Sequence, residues 1–145
     1  MTSGRRNIAT GLFFLAGFMV YGFVLIYLRD FAPGKEEWIA GSLTGKHFES
    51  RLAHVHGNLF AFLNVVIGYL LIALPLRERS ARLVSWLALA GMLMPVGILT
   101  EVLFGVPPLL VLVGGVSMVA AMVVLGIAVI RAPRPRASDA RSTDG

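Results

Sequence analysis

The sequence predicts an all-α integral membrane protein, a four-helix bundle with both termini in the cytoplasm. Three observations carry this. Hydrophobic residues make up 57% of the chain and charged residues only 14%, with a mean hydropathy of +0.78. A soluble domain needs more polar surface than that to cover its core. Four apolar stretches are each near the ~20 residues a helix needs to cross the hydrocarbon layer. Lys and Arg then gather at alternate ends of those stretches.

The tail before the first stretch carries Arg5 and Arg6, read as a topology anchor. The first span covers about 8–28. It is too long for the apolar region of a signal peptide, and "IYLRDFAPG" offers no small-residue cleavage site, so it is read as a retained helix. An outer loop follows, with Trp38, Tyr27 and Phe31 suited to the outer interface. Ser42 or Thr44 stands as a helix cap, and a helix is expected from about Lys46 into the second span, 54–76.

The loop after span 2 carries Arg77, Arg79 and Arg82. Span 3 covers 83–104, with Trp86 at its inner end and Pro95 expected to kink it. The turn "GVPP" leads to span 4, 109–130. On span 4, Gly114, Ser117 and Ala121 form a small-residue face read as close helix packing. Residues 1–131 make one membrane domain, and 132–145, polar and proline-bearing, are expected to be a disordered cytoplasmic tail.

Nine of the 13 Lys and Arg residues lie on the side of the two termini and the 2–3 loop. The other side holds Arg29, Lys35, Lys46 and Arg51, balanced by Asp30, Glu36, Glu37 and Glu49. The positive-inside rule therefore puts the termini in the cytoplasm of an inner-membrane, multi-pass protein. These basic residues sit at segment ends, not in a patch with aromatic partners, so nucleic acid is not the expected partner. The chain has no cysteine, which excludes disulfides, thiolate metal sites and iron–sulfur clusters.

The polar residues within or beside the spans are few. In "RLAHVHGNLF", at 100° per residue, one helix face collects His47, Arg51, His54 and Asn58. A second face collects Glu49, His56, Phe60 and Leu63, with Asn64 close by. His54 and His56 thus point nearly opposite ways and cannot share one ion. His47 and His54 lie about 10 Å apart along the axis, again too far. Zinc wants at least three converging ligands, which this stretch does not supply alone. Haem asks less, one axial imidazole among apolar walls, and Phe60, Phe62, Met92 and Met94 are candidates for those walls.

Glu101 is the one carboxylate inside an apolar span, and such a group is a functional candidate by default. It should share a depth with the histidines. It is expected near His54 or His56, where it could accept a hydrogen bond from a liganding imidazole. Plainer readings stand beside these. In these, headgroups wet the histidines, Glu101 snorkels outward or pairs with Arg51, and Asn58 and Asn64 join helices. Tyr21 and Tyr69 read as packing residues.

Ala53-His54 ahead of span 2, Ala81-Arg82-Leu83 opening span 3 and Val96-Gly97 within it stand at the spacings of a known family. In these short motifs, over spans 2 and 3, the chain resembles the styrene oxide isomerases. Those are small four-span membrane enzymes that hold haem b between the subunits of a trimer. Their ferric iron acts as a Lewis acid on an epoxide oxygen. The resemblance implies haem b, a homo-oligomer, a small apolar oxygenated ligand, and His54 as the iron ligand, with His56 as the other candidate. Two departures stand out. The family's pocket asparagine falls on Phe60 and its pocket tyrosine on Leu99. Asn58 and Glu101 are the nearest polar substitutes and the candidates for orienting a ligand. The resemblance therefore implies haem binding while leaving isomerisation without its two usual pocket groups. The other readings are a membrane electron-transfer or sensor subunit, and a cofactor-free packing or transport subunit.

Overall fold

The computed structural model describes residues 3–132, and these form six helices with no strand. They are α1 (Ser3–Asp30), α2 (Lys35–Ala40), α3 (Gly45–Ala73), α4 (Glu78–Gly91), α5 (Leu93–Phe104) and α6 (Leu109–Ile130). Apart from Ala132, the expected disordered tail lies outside the described residues. Four helical stretches are long and apolar enough to cross a membrane: α1, α3, the α4–α5 pair and α6. Phe13 and Phe23 on α1 are 80% and 71% exposed. In water such rings would form a sticky patch; on a membrane-spanning helix, lipid solvates them.

Each boundary has a local cause. α3 begins well before the apolar run, as expected, with Thr44 at its N-cap position. The Thr44 side chain makes no capping hydrogen bond, so the cap is positional only. The helix ends at Ala73 because Leu74 precedes Pro75; its φ of −100° and ψ of 142° are the extended values that a following proline ring imposes. The third span is two helices, α4 and α5, broken at Met92. Pro95 has no N–H to give the Gly91 carbonyl, which ends the regular ladder there. Gly105, at φ 66°, closes α5 in the left-handed conformation that a residue without a Cβ adopts freely.

α1 packs on α3, α3 on α5, and α6 on both α4 and α5. The core is built from Phe60, Ala61 and Ile67 of α3, Val84 and Ala88 of α4, Met92 at the kink, and Met118, Ala121 and Leu125 of α6. Gly114 and Ala121 are buried within the chain, so part of the small-residue face of α6 is spent on its own bundle. The backbones of α1 and α3 come close where Gly4 meets Gly68 and Gly11 meets Ala61. Small residues permit that approach, and close packing replaces the hydrophobic drive that lipid removes.

A buried polar node joins α1, α3 and α4. Asn7 donates to the Asn64 side-chain oxygen at 2.9 Å and to the Ser85 carbonyl at 3.2 Å. Asn64 donates to the carbonyls of Phe60 (3.1 Å) and Ala88 (2.9 Å). The Ser85 hydroxyl donates to Asn7 and accepts from Arg6 at 3.2 Å. Asn7, Asn64 and Ser85 are fully buried, and their amide and hydroxyl groups answer one another across three helices. Asn64 thus joins helices, as one reading of the sequence had it; its partner Asn7 was not anticipated.

Candidate functional site

The seam between α1 and α3 positions the residues of interest. Gly57 is seated against the Phe18 ring, and Gly22 against the His54 ring. A Cβ at Gly22 would lie 2.7 Å from His54 Cε1, so only glycine lets the imidazole lie this close to α1. The two contacts interlock, a ring from each helix resting in a glycine notch of the other.

His54 is half-buried, and its Nδ1 lies 2.9 Å from the main-chain carbonyl of Phe18. A carbonyl only accepts, so Nδ1 carries the proton and the lone pair falls on Nε2. The Asn58 amide nitrogen donates to the His54 carbonyl at 2.8 Å. It also lies 3.3 Å from Nδ1 and 3.4 Å from Nε2. Near-equal distances to both ring nitrogens put it against the face of the ring. The nitrogen lone pair lies in the ring plane, so neither contact is a directed hydrogen bond. Tyr21 stands on the other side, with ring centroids 6.4 Å apart.

His54 and Asn58 line a cleft of about 550 Å³ together with Met19, Gly22, Phe23, Leu25 and Ile26 of α1. That volume falls within the roughly 300–1,000 Å³ of small-molecule and cofactor sites. The cleft opens on the outer, apolar surface of the bundle, where Met19, Phe23 and Ile26 are exposed.

The wall residues expected from the sequence lie elsewhere. Phe60 and Met92 are buried in the core, and Met94 packs against that core. Phe62 is 55% exposed and does not line the cleft. The apolar walls come instead from α1, whose uniformly greasy sequence gives no sign of which side meets His54. One signal was present: Gly22 interrupts a helical apolar run, and a mid-helix glycine usually has a packing reason.

His56 does not reach the cleft. Its Nδ1 lies 2.9 Å from the Leu52 carbonyl on its own helix, and its ring stands edge-on to Phe60 at 6.3 Å. The opposed directions expected for the two histidines are observed. His47 stacks on Trp38 with centroids 4.4 Å apart, and its Nδ1 contacts the Trp38 carbonyl.

Glu101 is half-buried on α5, and its side chain makes no hydrogen bond or ion pair among the described residues. The expected hydrogen bond from an imidazole is therefore not made, because backbone carbonyls hold the Nδ1 atoms of both histidines. Nor does Arg51 pair with it; the Arg51 guanidinium sits 3.5 Å from the Ser42 carbonyl. Among the described residues, no group of three or more His, Cys, Asp or Glu side chains is arranged to hold a metal ion. A single imidazole beside an apolar cleft is a different arrangement, the one an axial ligand needs.

No protein-family model, curated protein or solved structure matches the chain.

Proposed function

We propose that this chain is an inner-membrane haem b-binding protein, in which His54 would ligate the iron, with both termini in the cytoplasm. The observation that carries the reading is the pairing of His54 Nδ1 with the Phe18 carbonyl at 2.9 Å, beside an apolar cleft of about 550 Å³. A ligating histidine characteristically donates its other ring N–H to a carbonyl or carboxylate, which fixes the tautomer and raises the basicity of the ligating nitrogen. The donor chemistry, the glycine notch and the apolar walls fit a flat, greasy macrocycle. His54 would hold it, Gly22 would seat the His54 ring, and Met19, Phe23, Leu25 and Ile26 would keep water from it.

The cleft is open on one side, and a second copy of the chain placed over it would complete the enclosure. A homo-oligomer, a trimer as in the styrene oxide isomerases that the sequence resembles, is therefore part of the proposal. Held there, the group would supply a Lewis-acidic iron to a small apolar oxygenated ligand, which would reach the open face from the bilayer. Asn58, whose nitrogen is committed to the His54 carbonyl, keeps its side-chain oxygen for orienting that ligand. Glu101, the other candidate from the sequence, is on α5 and does not line this cleft.

Isomerase chemistry is supported by the lining of the cleft, in which His54 is the one imidazole among the described residues, so that a single side chain would hold the group. An electron-transfer subunit is the second reading, favoured by the apolar Phe60 and Leu99 at the two departures from the family pattern. It would want a second axial ligand, and His56 of the same chain points away. The optical spectrum of the purified chain, with and without reductant, tests all of this. A Soret band of a five-coordinate iron supports the first reading, and a six-coordinate low-spin spectrum supports the second. Protein from haem-replete cells with no Soret band would sink both and leave the cofactor-free packing or transport reading. Loss of the band in His54→Ala, with retention in His56→Ala, is the expected pattern; the reverse overturns the ligand assignment.

A further inference from the structure

The cleft at His54 does not end at its apolar walls. A second cleft, of about 380 Å³, shares Leu25 and Ile26 with it and is lined by Arg29, His47 and Arg51. The two form one groove along the α1–α3 seam, greasy at one end and cationic at the other. Arg51 precedes His54 by three residues, about 4.5 Å along the axis and within a turn around it.

We propose that Arg51, with Arg29 beside it, is a carboxylate-binding rim, which orients a flat amphiphilic ligand with its apolar body at His54 and its acid groups toward the outer loop. The inference rests on the haem reading, and for haem b the acid groups are the two propionates. Arg51 is exposed, and its one polar contact among the described residues is the 3.5 Å approach to the Ser42 carbonyl. Its guanidinium fork is thus uncommitted, and that fork matches a carboxylate in a bidentate pair. Arg29 already pairs with Asp30 at 2.7 Å, so it is the secondary member. Glu49, two residues away on another face of the helix, makes no ion pair with Arg51, so no carboxylate among the described residues competes for it.

The experiment titrates the full chain, expressed without added haem, with haemin and separately with haemin dimethyl ester, following the Soret shift. The free acid is expected to bind roughly 10-fold or more tightly than the ester, the scale of a charge-assisted hydrogen bond. Arg51→Gln should remove most of that preference while leaving ester affinity unchanged. Lys46→Gln, outside the groove, should change neither. Equal affinity for acid and ester, or an Arg51→Gln variant that weakens both alike, overturns the rim and leaves His54 ligation standing. A chain that shifts neither spectrum overturns the haem reading and the rim with it.

Discussion

His54 Nδ1 and the Phe18 carbonyl meet at 2.9 Å although the two residues stand 36 apart in the chain. The contact makes the orientation of one imidazole a property of the α1–α3 seam. It also sets the proton. In the ligand-free chain labelled with ¹⁵N-histidine, one ring is expected to show a protonated Nδ1 and a bare Nε2, and its signals should vanish in His54→Ala. A proton on Nε2 of that ring would contradict the assignment.

Gly22 is the seat of that ring. Gly22→Leu should place its side chain where His54 Cε1 now lies, 2.7 Å from the first added carbon. Haem affinity is expected to fall at least about 10-fold, as when a ligand is displaced from productive geometry. Gly17 is the control, because a Cβ there meets nothing within 4 Å. Gly17→Ala should keep haem affinity and gain up to about 1 kcal/mol of helix stability. Soret titration and thermal unfolding in detergent measure the two effects.

The node of Asn7, Asn64 and Ser85 holds three helices without touching the cleft. Asn64→Leu takes away one buried partner of Asn7, which keeps Ser85, and leaves the Ala88 carbonyl without its donor. The cost should be about 1–2 kcal/mol, the scale of an unsatisfied buried amide moderated by the modest worth of such bonds in membranes. Asn7→Leu should cost a similar amount, and the double variant less than their sum, as coupled partners require. Additive losses would mean the two amides act independently.

Glu101 has no hydrogen-bond partner among the described residues, so Glu101→Gln should leave the Soret position of haem titrated into the chain unchanged. A carboxylate that tuned the His54 imidazole would give a shifted band in the variant. Unfolding stability is expected to change by no more than about 0.5 kcal/mol, since no polar contact is lost.

Orientation is open to a direct test because the chain has no native cysteine. Lys35→Cys, exposed beyond α1, should react with an impermeant maleimide added outside the cell. Arg79→Cys, exposed at the start of α4, should react only after permeabilisation. The opposite labelling would invert the topology that the Lys and Arg distribution implies.

The number of spans, the early start of α3 and the opposed directions of His54 and His56 were all legible in the sequence. Hydropathy and helical phase are local properties, carried by residues within a few turns of one another. The break at Met92 follows from Pro95 in the same way, whereas α3 stops at Ala73, before the expected 76, because Pro75 holds Leu74 extended. Which face of each helix turns inward was decided only by the tertiary structure. In water a helix advertises its buried side with an apolar stripe, but in lipid both sides are apolar and the stripe vanishes. So Phe60 and Met92 went to the core, while Met19, Phe23 and Ile26 of α1 came to the cleft. A backbone carbonyl took the place expected for Glu101, and a carbonyl carries no residue type by which a sequence could announce it.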